Sequence, residues 1–191
     1  MGAMLPRSPL PRRVAATALA TLGVAAPAVA QPTPAHAVIP APVSISVEAG
    51  RFFVVDANTH VSHAAGADTV VARLARTTSA MLAQGGGPGV RTVAEGASPA
   101  PGAIHLALAA ERRFGAEGYE LTVQPTRVTI TAATHAGLFF GMQTLRQLLP
   151  WSVEHPGALR RGLRIPVATV RDAPRFAWRG LMLDVARHFL P

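Results

Sequence analysis

The chain has 191 residues, no cysteine and a formal net charge of +8. This length is typical of one domain with additional segments, and an apolar content of 49% is enough to form a packed core. The basic residues are all arginines and are scattered rather than clustered among aromatics, so the charge does not predict a nucleic-acid surface. Without cysteine, the fold does not depend on disulfides.

The first thirty residues have the pattern of a signal peptide. Basic residues at 7–13 precede an apolar run at 14–26, and Ala28-Val29-Ala30 supplies a small-x-small cleavage pattern. The run is too short for a spanning helix, which needs about 20 apolar residues. The alternative of a buried helix is disfavoured by the prolines that follow. We therefore predict export, to the periplasm or the medium, with no membrane association after signal cleavage, and a Pro/Ala linker over 31–37.

The first predicted elements of the mature chain are a hairpin, a helix and a strand. Alternating apolar residues from Val43 to Val54, interrupted at Glu48-Ala49-Gly50, predict the hairpin. Helical spacing of apolar residues predicts a helix over Ala67–Gln84, which the glycine- and proline-rich stretch 85–89 ends. A short apolar run predicts a strand over Ile104–Leu108.

A second hairpin and a second helix complete the predicted domain. The hairpin joins Tyr119–Val123 to Val128–Thr131, and the helix extends from about His135 to Leu149, where Pro150 stops it. Hairpins combined with helices predict an α+β fold over 38–150, a mixed or antiparallel sheet with two helices on one face.

The last forty residues differ from this domain. Residues 151–178 are expected to be a connector, and Gly180–Leu183 is a continuous apolar run that ends at Asp184. Such a run is typical of a strand buried on both faces of a parallel sheet. A strand of this kind needs neighbours for its hydrogen-bonding groups, so we expect 179–191 to be the beginning of a domain that the sequence does not complete.

Two motifs carry a resemblance to a known family. One is Asp172-x-Pro-Arg-Phe-x-Trp-Arg-Gly180, followed by Leu183-Asp-x-x-Arg-His-Phe189, and the other is the helical stretch Ala136–Leu148. Together with Val38–Pro42 and Gly118–Leu121 they resemble the family 20 glycoside hydrolases, the β-N-acetylhexosaminidases. The resemblance implies that 38–150 is that family's N-terminal accessory domain and that 179–191 is the first strand of its (β/α)₈ catalytic barrel. Such barrels need about 250 residues, so the barrel is expected to be truncated.

The resemblance also assigns roles to residues near the end of the sequence. It implies that Arg187 binds the hydroxyls of the terminal sugar and that Asp184 and His188 are supporting residues. A guanidinium offers a rigid fork of donors that suits two adjacent hydroxyls. From the residues alone, a surface ion pair is the favoured role for Arg187, and Asp184 with His188 has the composition of an acid/base pair. The family's catalytic groups are an adjoining aspartate and glutamic acid, and the chain contains no Asp-Glu pair, so no catalytic residue is assigned.

The function that the resemblance implies is removal of terminal N-acetylglucosamine or N-acetylgalactosamine from glycans or chitooligosaccharides by substrate-assisted retention. The expected partner is such a glycan, with no nucleic acid and no cofactor, and the histidines lack metal-ligand spacing. The chain alone is expected to be inactive. The alternative is a stand-alone secreted α+β module that binds without catalysis, which would have no reason to keep the apolar run 180–183 or Arg187.

Overall fold

The computed structural model of the protein describes residues 38–84, 88–96, 99–109, 112–154 and 162–182. All of them fall within one compact unit, Pro34–Pro191. None of the helices in these ranges is long and apolar enough to cross a membrane. The elements of the described ranges are, in chain order, β1 Ser44–Val54, β2 His60–Ala64, α1 Thr69–Gln84, β3 Arg91–Glu95, β4 Ala103–Leu108, β5 Tyr119–Val123, β6 Val128–Ala132, α2 His135–Leu148 and β7 Arg164–Asp172.

The strands of the described ranges form one mixed sheet in the order β1-β7-β5-β6-β4-β2-β3. On one side, β1, β7, β5 and β6 are successively antiparallel. On the other, β6, β4, β2 and β3 are successively parallel. The predicted α+β class with a mixed sheet and two helices is confirmed.

Both helices cover the same face of the sheet. Strands β5 and β6 each alternate buried with half-buried residues, and the buried ones include Leu121 and Ile130. Helix α2 packs on this buried side, because a side chain at Gly141 would meet Ile130 and the ring of Tyr119. Helix α1 packs on β2 and β3 and contacts α2. The core therefore lies between the two helices and one side of the sheet.

Local side-chain bonds set where the two helices begin. The carboxylate of Asp68 accepts hydrogen bonds from the amides of Val70 and Val71, at 2.9 and 3.0 Å. The hydroxyl of Thr134 accepts from the amide of Gly137 in α2. Each cap supplies an acceptor to amides that have no partner within the first turn. Both predicted helices are confirmed, and α1 begins two residues later than predicted because Asp68 is its cap.

The predicted first hairpin is wrong. Residues 44–47 and 52–54 both pair with β7, so they belong to one strand that is interrupted by an irregularity and does not turn back. Gly50 has a φ of +76°, and Arg51 donates to Glu48 at 2.6 Å across the irregularity. The glycine that suggested a turn therefore accommodates extra residues in a continuous edge strand.

Three strands were not predicted from the sequence. Strands β2 and β3 are short, and β7 lies within the stretch that the sequence analysis assigned to a connector. Strand β7 occupies an interior position between β1 and β5, and Val170 is fully buried. The sheet thus continues to Asp172, and the described residues after it, 173–182, form neither helix nor strand.

Candidate functional site

The three residues with predicted site roles, Arg187, Asp184 and His188, lie outside the described residues. The structure does describe the chain as far as Met182. Leu181 and Met182 have no regular structure and are 93% and 91% exposed. The sugar-binding and supporting roles therefore remain predictions, and the part of the candidate site that the structure describes is the junction before these residues.

This junction contains a groove of about 420 Å³ between the N-terminal segment, α2 and the stretch after β7. Its walls are mainly apolar. The lining residues are Val38, Ile39, Pro40, Ala41, Tyr119, Phe140, Gln143, Thr144, Gln147, Asp172, Ala173, Pro174, Arg175, Phe176 and Arg179.

Side-chain hydrogen bonds hold the N-terminal wall of the groove in place. The amide oxygen of Gln147 accepts from the backbone N–H of Ile39 at 2.7 Å, and its amide nitrogen donates to the carbonyl of the same residue at 3.1 Å. The carboxylate of Asp172 accepts from the backbone N–H of Val43 at 3.0 Å. The segment before β1 is thus tied both to α2 and to the end of β7.

Arg179 ties the opposite wall to the domain. One of its terminal nitrogens donates to both carboxylate oxygens of Glu117, each at 2.9 Å. The other donates to the carbonyl of Phe176 at 2.6 Å. The guanidinium carbon lies 5.7 Å from the centroid of the Phe140 ring, within cation–π range. The sequence motif contained Arg179 but gave it no role, and Glu117 was missed because no local pattern links the two residues.

The groove holds no pair of groups arranged for acid/base hydrolysis. Asp172 is the one carboxylate among its lining residues, and that carboxylate already accepts from Val43. Burial raises the pKa of Tyr119 to about 12, and its hydroxyl bonds to that of Thr144. A phenol with so high a pKa stays protonated at neutral pH.

A second polar cluster lies buried in the sheet, on β2, β3 and β4. Ser62 and His105 share a hydrogen bond of 2.8 Å, and His60 lies 2.8 Å from a carboxylate oxygen of Glu95. A serine next to a histidine resembles a nucleophile with its base. However, Ser62 is 0% and His105 3% exposed, and burial lowers the pKa of His105. Ser62 and His105 are therefore out of reach of a substrate, and the second carboxylate oxygen of Glu95 is buried without a hydrogen-bond partner among the described residues.

A metal centre is not found in the part of the chain that the structure describes, where no three His, Asp or Glu side chains are grouped to hold an ion. His135 instead lies 2.6 Å from the carboxylate of Asp68, the residue that caps α1. This contact joins the beginnings of the two helices at the surface.

Comparison with known proteins places this architecture among glycoside hydrolases. The family profile "Glycosyl hydrolase family 20, domain 2" matches residues 35–173. A β-N-acetylhexosaminidase of Cellulomonas fimi is 38% identical over 158 residues, which are 82% of this chain and 30% of that protein. A β-hexosaminidase of Porphyromonas gingivalis is 39% identical over 95 residues, 50% of this chain and 12% of that protein.

Solved structures give the same result. The chain is similar to a family 20 β-N-acetylhexosaminidase of Streptomyces coelicolor, with a TM-score of 0.70 and 39% identity. It is also similar to a mutant β-hexosaminidase of Streptomyces plicatus in complex with the product GlcNAc, with a TM-score of 0.71 and 38% identity. In both cases the match covers 84% of this chain and 31% of the other. The chain thus spans about a third of these proteins.

Proposed function

Because the chain belongs to glycosyl hydrolase family 20, we propose that it is the accessory-domain part of an exported β-N-acetylhexosaminidase. The substrates would be glycans or chitooligosaccharides that end in N-acetylglucosamine or N-acetylgalactosamine. The observation that carries the proposal is the 38% identity to the Cellulomonas fimi enzyme over 82% of this chain. It is supported by the product complex of the Streptomyces plicatus neighbour.

The proposed reaction is substrate-assisted retention. The 2-acetamido oxygen of the sugar attacks the anomeric carbon, while a glutamic acid protonates the leaving oxygen; this route is one of the exceptions to the two-carboxylate scheme. An aspartate next to that acid orients the acetamido group. The 191 residues contain no adjoining Asp-Glu pair. General acid catalysis contributes about 10²- to 10⁴-fold, so we propose that these residues alone do not turn over substrate.

Within the chain, Arg187 is proposed to hold the terminal sugar. Its guanidinium can donate two parallel hydrogen bonds to neighbouring hydroxyls, which fixes the ring but breaks no bond. Asp184 and His188 would support this arginine at the end of the first barrel strand, since active sites of such barrels lie at the carboxyl ends of their strands.

The experiment compares the 191-residue chain with the product of the same gene expressed with the coding sequence downstream of residue 191. We expect the longer protein to hydrolyse 4-nitrophenyl N-acetyl-β-D-glucosaminide but not the matching glucoside, which lacks the acetamido group. The chain alone should give no turnover. In the longer protein, Arg187→Lys should raise KM more than it lowers kcat, because it removes the guanidinium fork.

Two results would contradict the proposal. Turnover by the 191-residue chain at the rate of an intact enzyme would show that catalytic groups lie within it. A longer protein that carries a barrel yet hydrolyses both glycosides equally would exclude the substrate-assisted route. If the downstream sequence encodes no barrel, the non-catalytic secreted module becomes the better reading.

Export is proposed from the N-terminal pattern alone. Cleavage after Ala30 would leave Gln31 as the first residue. The intact mass of the protein recovered from the periplasm or medium tests this, and recovery of full-length chain from the cytoplasm alone would contradict it.

A further inference from the structure

The stretch that joins the accessory domain to the following segment, here called the connector, comprises residues 173–179. Its beginning is fixed, because the preceding Asp172 pairs with Tyr119 across β7 and β5 and bonds to the backbone of Val43. Within it, Arg175 reaches the carbonyl of Ala41 only at 3.4 Å. The side chains of Phe176 and Trp178 are 72% and 84% exposed. The direction in which the chain continues after the connector therefore depends on the contacts at the connector's far end.

That far end is Arg179, whose side chain contacts three separate parts of the molecule. It reaches Glu117 in the turn before β5, the carbonyl of Phe176 in the connector, and the ring of Phe140 on α2. An isolated surface ion pair stabilises little, because ordering two long side chains offsets the attraction. Here one ordered arginine makes all three contacts, so the entropic cost of ordering it is shared among them.

Glu117 is anchored on a rigid part of the domain. The next residue, Gly118, lies so close to its neighbours that an added Cβ would be 2.1 Å from the carbonyl oxygen of Phe114 and 3.2 Å from that of Asp172. A Cβ on Gly137 of α2 would in turn lie 2.4 Å from the carbonyl oxygen of Gly118. The start of β5, the end of β7 and α2 thus converge beside Glu117. A side chain that binds the carboxylate of Glu117 is therefore held beside two strands and a helix of the domain.

We propose that Arg179 is a positioning residue: it clamps the far end of the connector to the accessory domain and so fixes the direction of the segment that leads to Arg187. The inference rests on the proposed function for the role of Arg187, but the clamp itself is a property of the described residues. Both ends of the connector are then held on the same corner of the domain, at Tyr119 through Asp172 and at Glu117 through Arg179.

The test measures the distance between the domain and the end of the clamp. The chain has no cysteine, so spin labels can be attached at Ala80→Cys on the exposed side of α1 and at Leu181→Cys beyond the clamp, and pulsed EPR gives the distance distribution. Arg179→Ala and the isosteric Glu117→Gln should each broaden it by roughly a factor of two or more, since a released segment moves over larger amplitudes. Arg51→Ala, which breaks a more exposed surface ion pair with Glu48 on β1, should leave it unchanged.

Thermal unfolding of each variant separates release of the connector from loss of the fold, and Glu117→Gln serves if Arg179→Ala fails to fold. An unchanged distribution in a folded Arg179→Ala or Glu117→Gln protein would overturn the proposal. The measurement needs neither sugar nor turnover, so it stands even if the proposed activity fails.

If the longer gene product is active, Arg179→Ala should lower kcat/KM by about ten- to a hundredfold. Arg179→Lys should recover part of that loss. Arg51→Ala should leave kcat/KM unchanged.

Discussion

Substituting Gly137 by alanine tests whether helix α2 packs on β6 and on the residue before β5 as closely as the structure indicates. An added Cβ would lie 2.4 Å from the carbonyl oxygen of Gly118 and 2.7 Å from the Cβ of Ala132. Ordinary Cβ contacts begin at 3.4 Å, so the first contact is 1.0 Å too short (3.4 − 2.4). Relief requires a shift of backbone rather than the rotation of a side chain.

The expected magnitude combines two opposing effects. Overpacking typically costs about 1–3 kcal/mol. We expect the upper end of this range, because the obstructing atoms are the backbone carbonyl of Gly118 and the Cβ of Ala132, which no side-chain rotation can move. Replacing glycine by alanine inside a helix contributes about 1 kcal/mol in the favourable direction. The free energy of unfolding should therefore fall by about 2 kcal/mol.

Urea unfolding followed by circular dichroism measures this change. Ala136→Gly, at the exposed neighbouring position of α2, measures the propensity effect by itself. Gly141→Ala is the matched comparison, because its Cβ would meet side-chain atoms of Ile130 and Tyr119 rather than backbone. It should lose less stability than Gly137→Ala. The reasoning is refuted if Gly137→Ala is as stable as the parent, or if Gly141→Ala is the more damaging of the two.

Three further predictions concern other parts of the fold. Tyr119 is the single tyrosine, so absorbance at 295 nm should show a phenolate midpoint near pH 12, and a midpoint near 10 in folded protein would contradict this. Because the pKa of Tyr119 is raised in the folded state, its contribution to stability is present below pH 10 and is lost as the pH rises toward 12. The pKa of His105 is lowered in the folded state, so the free energy of unfolding should decrease as the pH falls below 6.5. Urea titrations at pH 7 and 5 should show a smaller decrease for His105→Gln than for the parent. An equally steep decrease in the variant would exclude this histidine as the cause. Replacing the exposed Leu181 and Met182 by serine should raise the monomeric fraction in size-exclusion chromatography, because exposed apolar side chains promote self-association. Val43→Ser, at a 68% exposed position, is the control. An equal rise of the monomeric fraction in this control would argue against a specific role for 181–182.

The sequence analysis predicted elements whose signal is local. Helix α2 has apolar residues at helical spacing, a capping Thr134 and a following Pro150, and all three lie within one short stretch. The β5–β6 hairpin likewise has alternating residues on either side of a short turn. The motifs that indicated the family, such as the one from Asp172 to Gly180, are also contiguous in the sequence.

Contacts between distant residues were decided only by the tertiary structure. Alternation in β1 suggested a hairpin, and only its pairing with β7, more than one hundred residues later, makes it a single strand. Strand β7 itself is interior because β1 and β5 lie on either side of it, which no window of sequence contains. Arg179 and Glu117 are 62 positions apart, and their contact exists because α2, β5 and the end of β7 converge. A sequence pattern specifies which face of an element is apolar, whereas the choice of neighbour depends on the free energy of packing the whole chain.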